Sequence, residues 1–230
     1  MREFPNCRQA GYVTFENYKK RQMKKIILFL FSFLLFQYSG AQIKTDSIKT
    51  ALLIVDIQEF YFPSDYSSGL VNAEEASLKA KDVLQVFRDN KQLVVHVRHQ
   101  SNKGFEIHKN VAPIKGEKII TKHEVNSFFN TDLLKYLENN KINRLIIIGM
   151  QTQMCLEGAV RAAHDYGFDC IVIDDACATR NLKFRDKTVK AEDVQTCVLA
   201  TLSQGGYAKV ITSADFKANY KKFLFEGINK

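Results

Sequence analysis

The stretch Arg144-Leu-Ile-Ile-Ile-Gly149-Met-Gln-Thr-Gln-Met-Cys155, continued by Leu156-Glu-Gly-Ala-Val-Arg-Ala-Ala-His-Asp-Tyr166, decides the fold. Its first part is an unbroken aliphatic run, the pattern of a strand covered on both faces. Gly149 punctuates the run, and the residues after Cys155 have helical period. Strand, tight turn and helix in this order form half of a βαβ unit. Cys155 falls on the first turn of the predicted helix, where unpaired N–H groups and the positive end of the helix dipole favour a thiolate. The same N–H groups suit an oxyanion. Cysteine is also a common small core residue, so this segment alone leaves a packing role equally open.

Ala51-Leu-Leu-Ile-Val55, Leu93-Val-Val-His-Val97, Cys170-Ile-Val-Ile173 and the weaker Lys209-Val-Ile-Thr212 are similar runs, with a further short strand at Lys118–Lys122. Segments of helical period lie between them at 73–90, 130–140, 157–166 and 188–204, and a last helix begins at Ser213. The alternation predicts a single doubly wound α/β domain: a mostly parallel six-stranded Rossmann-like sheet, order 3-2-1-4-5-6, with helices on both faces. In that order the strands ending at Asp56 and Gly149 are neighbours at the switch point, which brings Asp56 and Cys155 together. Two long connections, 58–72 and 99–117, leave the carboxyl ends of strands, where such sheets carry ligands.

The formal charge is +8, but residues 1–41 hold seven Lys/Arg and two acids, so the remainder carries only +3. Without a basic stripe there, nucleic acid is not the expected partner. No G-x-G-x-x-G follows the first strand, which argues against a dinucleotide. Residues 1–41 read as a leader. Lys24-Lys25 is a basic n-region, Ile26–Phe36 an apolar h-region too short to span a bilayer, and Ser39-Gly-Ala41 a small-residue cleavage site. The signal peptide would be 23–41, with 1–22 an over-called start, and the mature domain 42–230. The expectation is export to a periplasm or beyond, with no stable membrane anchor after cleavage. Beyond the leader, Cys155, Cys170, Cys177 and Cys197 match neither a disulfide framework nor a zinc site, so mostly free thiols are expected.

Three separated motifs carry a resemblance: Ala51-Leu-Leu-Ile-Val-Asp56-Ile-Gln58, Ile120-Thr-Lys122-His-Glu-Val-Asn-Ser127-Phe128-Phe-Asn-Thr131-Asp-Leu, and Gly149-Met-Gln-Thr152-Gln-Met-Cys155. A fourth, Gly167-Phe-Asp-Cys-Ile-Val-Ile-Asp174-Asp-Ala-Cys-Ala-Thr179, fits the next strand and loop. Together they resemble the isochorismatase-like cysteine hydrolase superfamily over roughly 51–214. The resemblance implies a triad of Cys155, Asp56 and Lys122, with Cys155 as nucleophile, Asp56 as proton carrier and Lys122 as electrostatic partner. It also implies a cis Met150–Gln151 peptide bond and an oxyanion hole built from the N–H groups of Gln151 and Cys155. Homo-oligomers are common in the family.

Departures from the pattern narrow the chemistry. The Asp/His metal cluster of nicotinamidases has no counterpart in 58–72, which contains Asp65 and no histidine, so no metal or other cofactor is expected. Cys177 stands where the family usually has a histidine. His108 matches a loop histidine of amidase-like members and is a candidate substrate contact, as are Gln58, Phe60, Phe62 and Phe128. The expected function is hydrolysis of a C–N bond in a small amide, carbamoyl or ureido compound through a thioester. The alternatives are vinyl-ether hydrolysis of the isochorismate type, and a non-catalytic binding protein on the same scaffold.

Overall fold

The computed structural model describes Met23 and residues 48–227 apart from Tyr66. The expected signal peptide and over-called start therefore lie outside the described residues, Met23 excepted. Six strands form one parallel sheet: β1 (Thr50–Val55), β2 (Leu93–His99), β3 (Lys118–Lys122), β4 (Arg144–Met150), β5 (Asp169–Ala178) and β8 (Lys209–Ile211). Their order is β3-β2-β1-β4-β5-β8. Apart from the numbering of the last strand, this is the order expected from the sequence.

The strands alternate cleanly between two cores because successive side chains point to opposite faces. Leu52, Ile54, Ile146, Ile148, Ile171 and Ile173 pack on one face with α1 (Ala73–Asp89) and α5 (Ser213–Phe225). Leu53, Val55, Leu145, Ile147 and Val172 pack on the other with α2 (Leu133–Asn139), α3 (Glu157–Asp165) and α4 (Ala191–Gln204). Every residue of β1 and β4 is buried, as the unbroken apolar runs require. The buried charge Arg144 ends inside this frame. It pairs with Asp169 at 2.7 Å and donates to the carbonyls of Phe223 and Glu226, which ties the end of α5 to the start of β4.

Three local expectations change. The helix expected from Thr188 begins at Ala191, because Lys187–Val189 is β7, paired antiparallel with β6 (Leu182–Phe184). This hairpin turns on Arg185-Asp186 with Arg185 at φ 56°, in place of the glycine that usually announces such turns, and it is exposed throughout. The strand expected to end at Ile173 runs on to Ala178, past Asp174-Asp175, with a register shift against β4 between Ile147 and Gly149. The helix expected from Asn130 starts at Leu133, since Asn130 takes a left-handed conformation at φ 53°.

Two devices place the carboxyl ends of β1, β3 and β4. Glu117, just before β3, accepts two hydrogen bonds from Arg88 of α1 at 2.8 Å and contacts His96 of β2 at 2.9 Å. Its carboxylate is partly desolvated, yet these bonds outweigh that cost and hold its pKa down at about 2. Gly149 pairs with Val55 in register, and a Cβ there would stand 2.0 Å from the Val55 carbonyl oxygen. With φ at +138°, only glycine fits. The backbones of β1 and β4 can therefore close on each other just before Asp56 and Cys155.

Candidate active site

Asp56 follows β1, Lys122 ends β3, and Cys155 lies five residues beyond β4. All three are buried, Asp56 and Lys122 completely. Asp56 adopts φ 51°, a left-handed conformation that aspartate tolerates better than most residues, and its N–H donates to the Val97 carbonyl at 2.9 Å. Cys155 does not sit in the first turn of an α-helix, as the sequence suggested. It occupies a π-turn, Thr152–Leu156, closed by the Leu156 N–H donating to the Gln151 carbonyl at 3.2 Å, and α3 begins only at Glu157. Such turns recur at functional sites because the extra residue re-aims a side chain. The Met150–Gln151 peptide bond is cis.

The Lys122 ammonium is the hub of the cluster. Its Nζ lies 2.8 Å from Asp56 Oδ2 and 3.2 Å from Cys155 Sγ, 3.0 Å from the Glu124 carbonyl oxygen and 3.1 Å from His99 Nδ1. The contact with Asp56 is a close ion pair, but it is too bent to be a well-directed hydrogen bond, and neither carboxylate oxygen has such a donor. The carboxylate thus keeps acceptor capacity next to the thiol. Desolvation raises the Asp56 pKa above its ordinary value, against the lowering effect of Lys122.

Cys155 shows the opposite of the pre-formed thiolate that a helix start suggested. Burial, followed by the charge of Asp56, pushes its thiol up to about 12, and the Lys122 ammonium only partly offsets this. The resting sulfur is therefore protonated. It becomes a nucleophile only if its proton moves to a neighbouring base, and Asp56 is the base in contact.

His99, a residue the sequence reading passed over, belongs to this cluster. It is the register partner of Lys122 across β2 and β3 and is half-buried. Burial and the Lys122 charge hold its pKa below the usual histidine value. The donor atoms of Asp56, His99 and Cys155 lie within 4.8 Å of one another, a spacing that suits a metal ion. The ammonium of Lys122, within 3.2 Å of all three, takes the place such a cation would need. Tyr61 was also passed over. Its hydroxyl bonds to Gln151, and burial, with the charge of Asp56 added, raises its pKa, so it is a neutral phenol beside the site. Its signal in the sequence is the polar handle within Phe60-Tyr61-Phe62.

Several expected substrate contacts are otherwise engaged. Gln58 is fully buried, and its amide is spent on the backbone. Nε2 donates to the carbonyls of His99 and Phe105 at 3.0 and 2.8 Å, and Oε1 accepts the His99 N–H at 2.6 Å. It staples the loop after β2. His108 stacks on Phe62 at 3.7 Å, accepts from the Asn110 N–H and faces Glu74, a structural engagement away from the triad's contacts. Phe128 packs against Tyr166 and Phe168 in the core, and only Phe60, half-buried against Tyr61, keeps an exposed edge. Gln151 is tied by the Gln153 amide at 3.0 Å, and Gln153 in turn accepts a hydrogen bond from Thr179.

A cleft of about 870 Å³ opens beside β5 and α4, lined by Glu75, Asp174, Cys177, Thr179, Lys190 and Gln195 among others. No member of the triad lines it. Away from this cleft, the thiol, carboxylate and ammonium of Cys155, Asp56 and Lys122 are in contact and out of water. Cys177, buried in this wall, directs its thiol at the Ile173 carbonyl. None of the four described cysteines is in a disulfide.

Fold and site together define a class, the doubly wound α/β proteins with a buried thiol, carboxylate and ammonium at the sheet's switch point. The Isochorismatase domain model matches residues 50–215. YddQ of Bacillus subtilis, an uncharacterized isochorismatase family protein, is 40% identical over 178 residues, covering 73% of this chain and 98% of its own. The maleamate amidohydrolase of Pseudomonas putida is 26% identical over 160 residues, 58% of this chain and 74% of its own. An isochorismatase-family crystal structure from Oleispira antarctica superposes with a TM-score of 0.70 at 38% identity, covering 74% of this chain and 96% of its own. The chain belongs to the isochorismatase family and is a hydrolase.

Proposed function

We propose that the protein is a cysteine hydrolase that cleaves the C–N bond of a small amide, carbamoyl or ureido compound. The observation that carries this reading is the buried contact of Lys122 with both Asp56 and Cys155. The Sγ proton passes to Asp56, and the thiolate, held by Lys122, attacks the carbonyl carbon. The N–H groups of Gln151 and Cys155 receive the oxyanion. Asp56 then returns the proton to the departing amine, leaving a thioester on Cys155. Water hydrolyses the thioester, and the thiol is restored. A relative named for maleamate hydrolysis supports C–N cleavage over vinyl-ether cleavage.

The test is ammonia release across a panel of primary amides and ureido acids, with trapped reaction mixtures searched by mass spectrometry for an acyl adduct. An adduct on Cys155 with at least one panel member is the expected result. Turnover without any adduct on Cys155 would refute the thioester.

We propose further that the chain is exported by the leader at 23–41 and works as a homo-oligomer. Supporting self-association, the β6–β7 hairpin exposes Leu182, Phe184 and Val189 between Lys183, Arg185 and Lys187, while the cleft beside it carries Glu75, Asp174, Asp175 and Glu192. Basic arm and acidic cleft are complementary between two copies. Light scattering should give a multiple of the protomer mass that Phe184→Asp reduces to a single protomer. An unchanged mass in the variant would remove the hairpin from the interface.

A further inference from the structure

An ammonium has three N–H bonds to give. Lys122 has four acceptors within reach: Asp56 Oδ2, the Glu124 carbonyl, His99 Nδ1 and Cys155 Sγ. One acceptor must go without. Here that acceptor is Asp56: the three hydrogen bonds run to the Glu124 carbonyl, His99 Nδ1 and Cys155 Sγ, and the carboxylate keeps the bent ion contact. After the Sγ proton moves to Asp56, the carboxyl is neutral and the thiolate is the strong acceptor. His99 and the Glu124 carbonyl hold two of the three N–H bonds in both states, which leaves the third aimed at sulfur.

We propose that His99 is a positioning residue: as a neutral imidazole accepting at Nδ1, it and the Glu124 carbonyl pin the Lys122 ammonium as a pivot. The third N–H stays on Cys155 Sγ and meets the thiolate as the proton passes from sulfur to the Asp56 carboxylate. No atom is gained or lost in this step; one proton moves from sulfur to oxygen. The geometry is prepared by the fold. The Gln58 amide grips both the N–H and the carbonyl of His99, fixing the main chain from which the ring projects. The charged and titratable groups facing the ring are Lys122, His123 and Glu124 from β3 and the turn after it, and Asp56 from the end of β1. Lys122 and His123 disfavour an imidazolium, while Asp56 and Glu124 favour it. With burial added, the neutral ring prevails at neutral pH.

This inference rests on the cysteine reading of the site, but it is tested without substrate. The rate of iodoacetamide labelling of Cys155, followed by mass spectrometry across pH, reports thiolate formation alone. His99→Leu removes the acceptor and should slow labelling at neutral pH by about 10- to 100-fold, the range a hydrogen bond to a charged group is worth. His99→Gln restores a carbonyl acceptor that does not titrate. It should label within a few-fold of wild type, with an acid limb that loses one of its two protonations and shifts to lower pH.

Wild-type labelling in His99→Leu, or an equal loss in His99→Gln and His99→Leu, would overturn the pivot. If His99→Leu does not fold by thermal unfolding, the His99→Gln profile decides alone, and an acid limb identical to wild type overturns the proposal. If the labelling pattern holds while no amide is hydrolysed, the proposed reaction fails and the role of His99 stands.

Discussion

Cys155→Ala should abolish turnover, by on the order of 10⁴-fold or more, while the protein still unfolds cooperatively close to the wild-type midpoint. Activity falls so far because, among the described residues, no other thiol is placed to substitute. Cys170 and Cys177 are buried within β5, and Cys197 is exposed on α4. The fold survives because alanine fills most of the cysteine volume against Leu156 and Ala159 and leaves no unsatisfied polar group. Ammonia release and a thermal melt measured on the same preparation check both halves. Retained turnover would exclude the thioester. If that retained activity released pyruvate from isochorismate, it would point to acid-assisted vinyl-ether cleavage, which needs Asp56 and not the thiol.

Asp56→Asn is expected to lower kcat/KM by about 10²–10⁴-fold, the usual worth of a general acid–base step. Asparagine is the informative replacement because it tolerates the left-handed backbone at φ 51° as well as aspartate does, so the loss is chemical and not conformational. The variant should also move Cys155 in the opposite sense. The Asp56 charge helps to raise the thiol pKa, so its removal should let that pKa fall from about 12 toward ordinary values, with Lys122 then paired to the sulfur. Ultraviolet titration of the thiolate reads this directly. A less active enzyme with a more acidic thiol is what the proton-carrier role requires. An unchanged or higher thiol pKa would contradict it.

In the wild type, the carboxylate must be ionised to receive the proton. Because burial lifts the Asp56 pKa, kcat/KM should rise with pH through a value above the usual carboxylate range. In Asp56→Asn that contribution to the acid limb disappears.

The meeting of Asp56 and Cys155 was legible in the sequence because each succeeds a central strand and strand ends in a parallel sheet converge, whereas Lys122 was expected beside them only from the family resemblance. The unbroken runs Ala51–Val55 and Leu145–Ile148 announced two buried central strands, and the switch-point rule placed the residues after them side by side. The β6–β7 hairpin was not legible. Its residues alternate weakly, face water on every side, and turn without glycine or asparagine, so they carry no periodic signal. The extension of β5 was hidden because Asp174-Asp175 interrupts the apolar run, and its pairing depends on a register shift beside Gly149.

Hydrophobic period and strand ends, which are local properties, announced the sheet and its order, and the family resemblance pointed to Cys155, Asp56 and Lys122. The packing of distant segments set the state of those groups. It made Gln58 a staple, where the sequence suggested a substrate contact, and gave His108 to Phe62. It brought His99 to the ammonium and set the thiol as protonated at rest. These outcomes depend on desolvation and on distances of about 3 Å between residues far apart in the chain, and a protonation state is the sum of those effects.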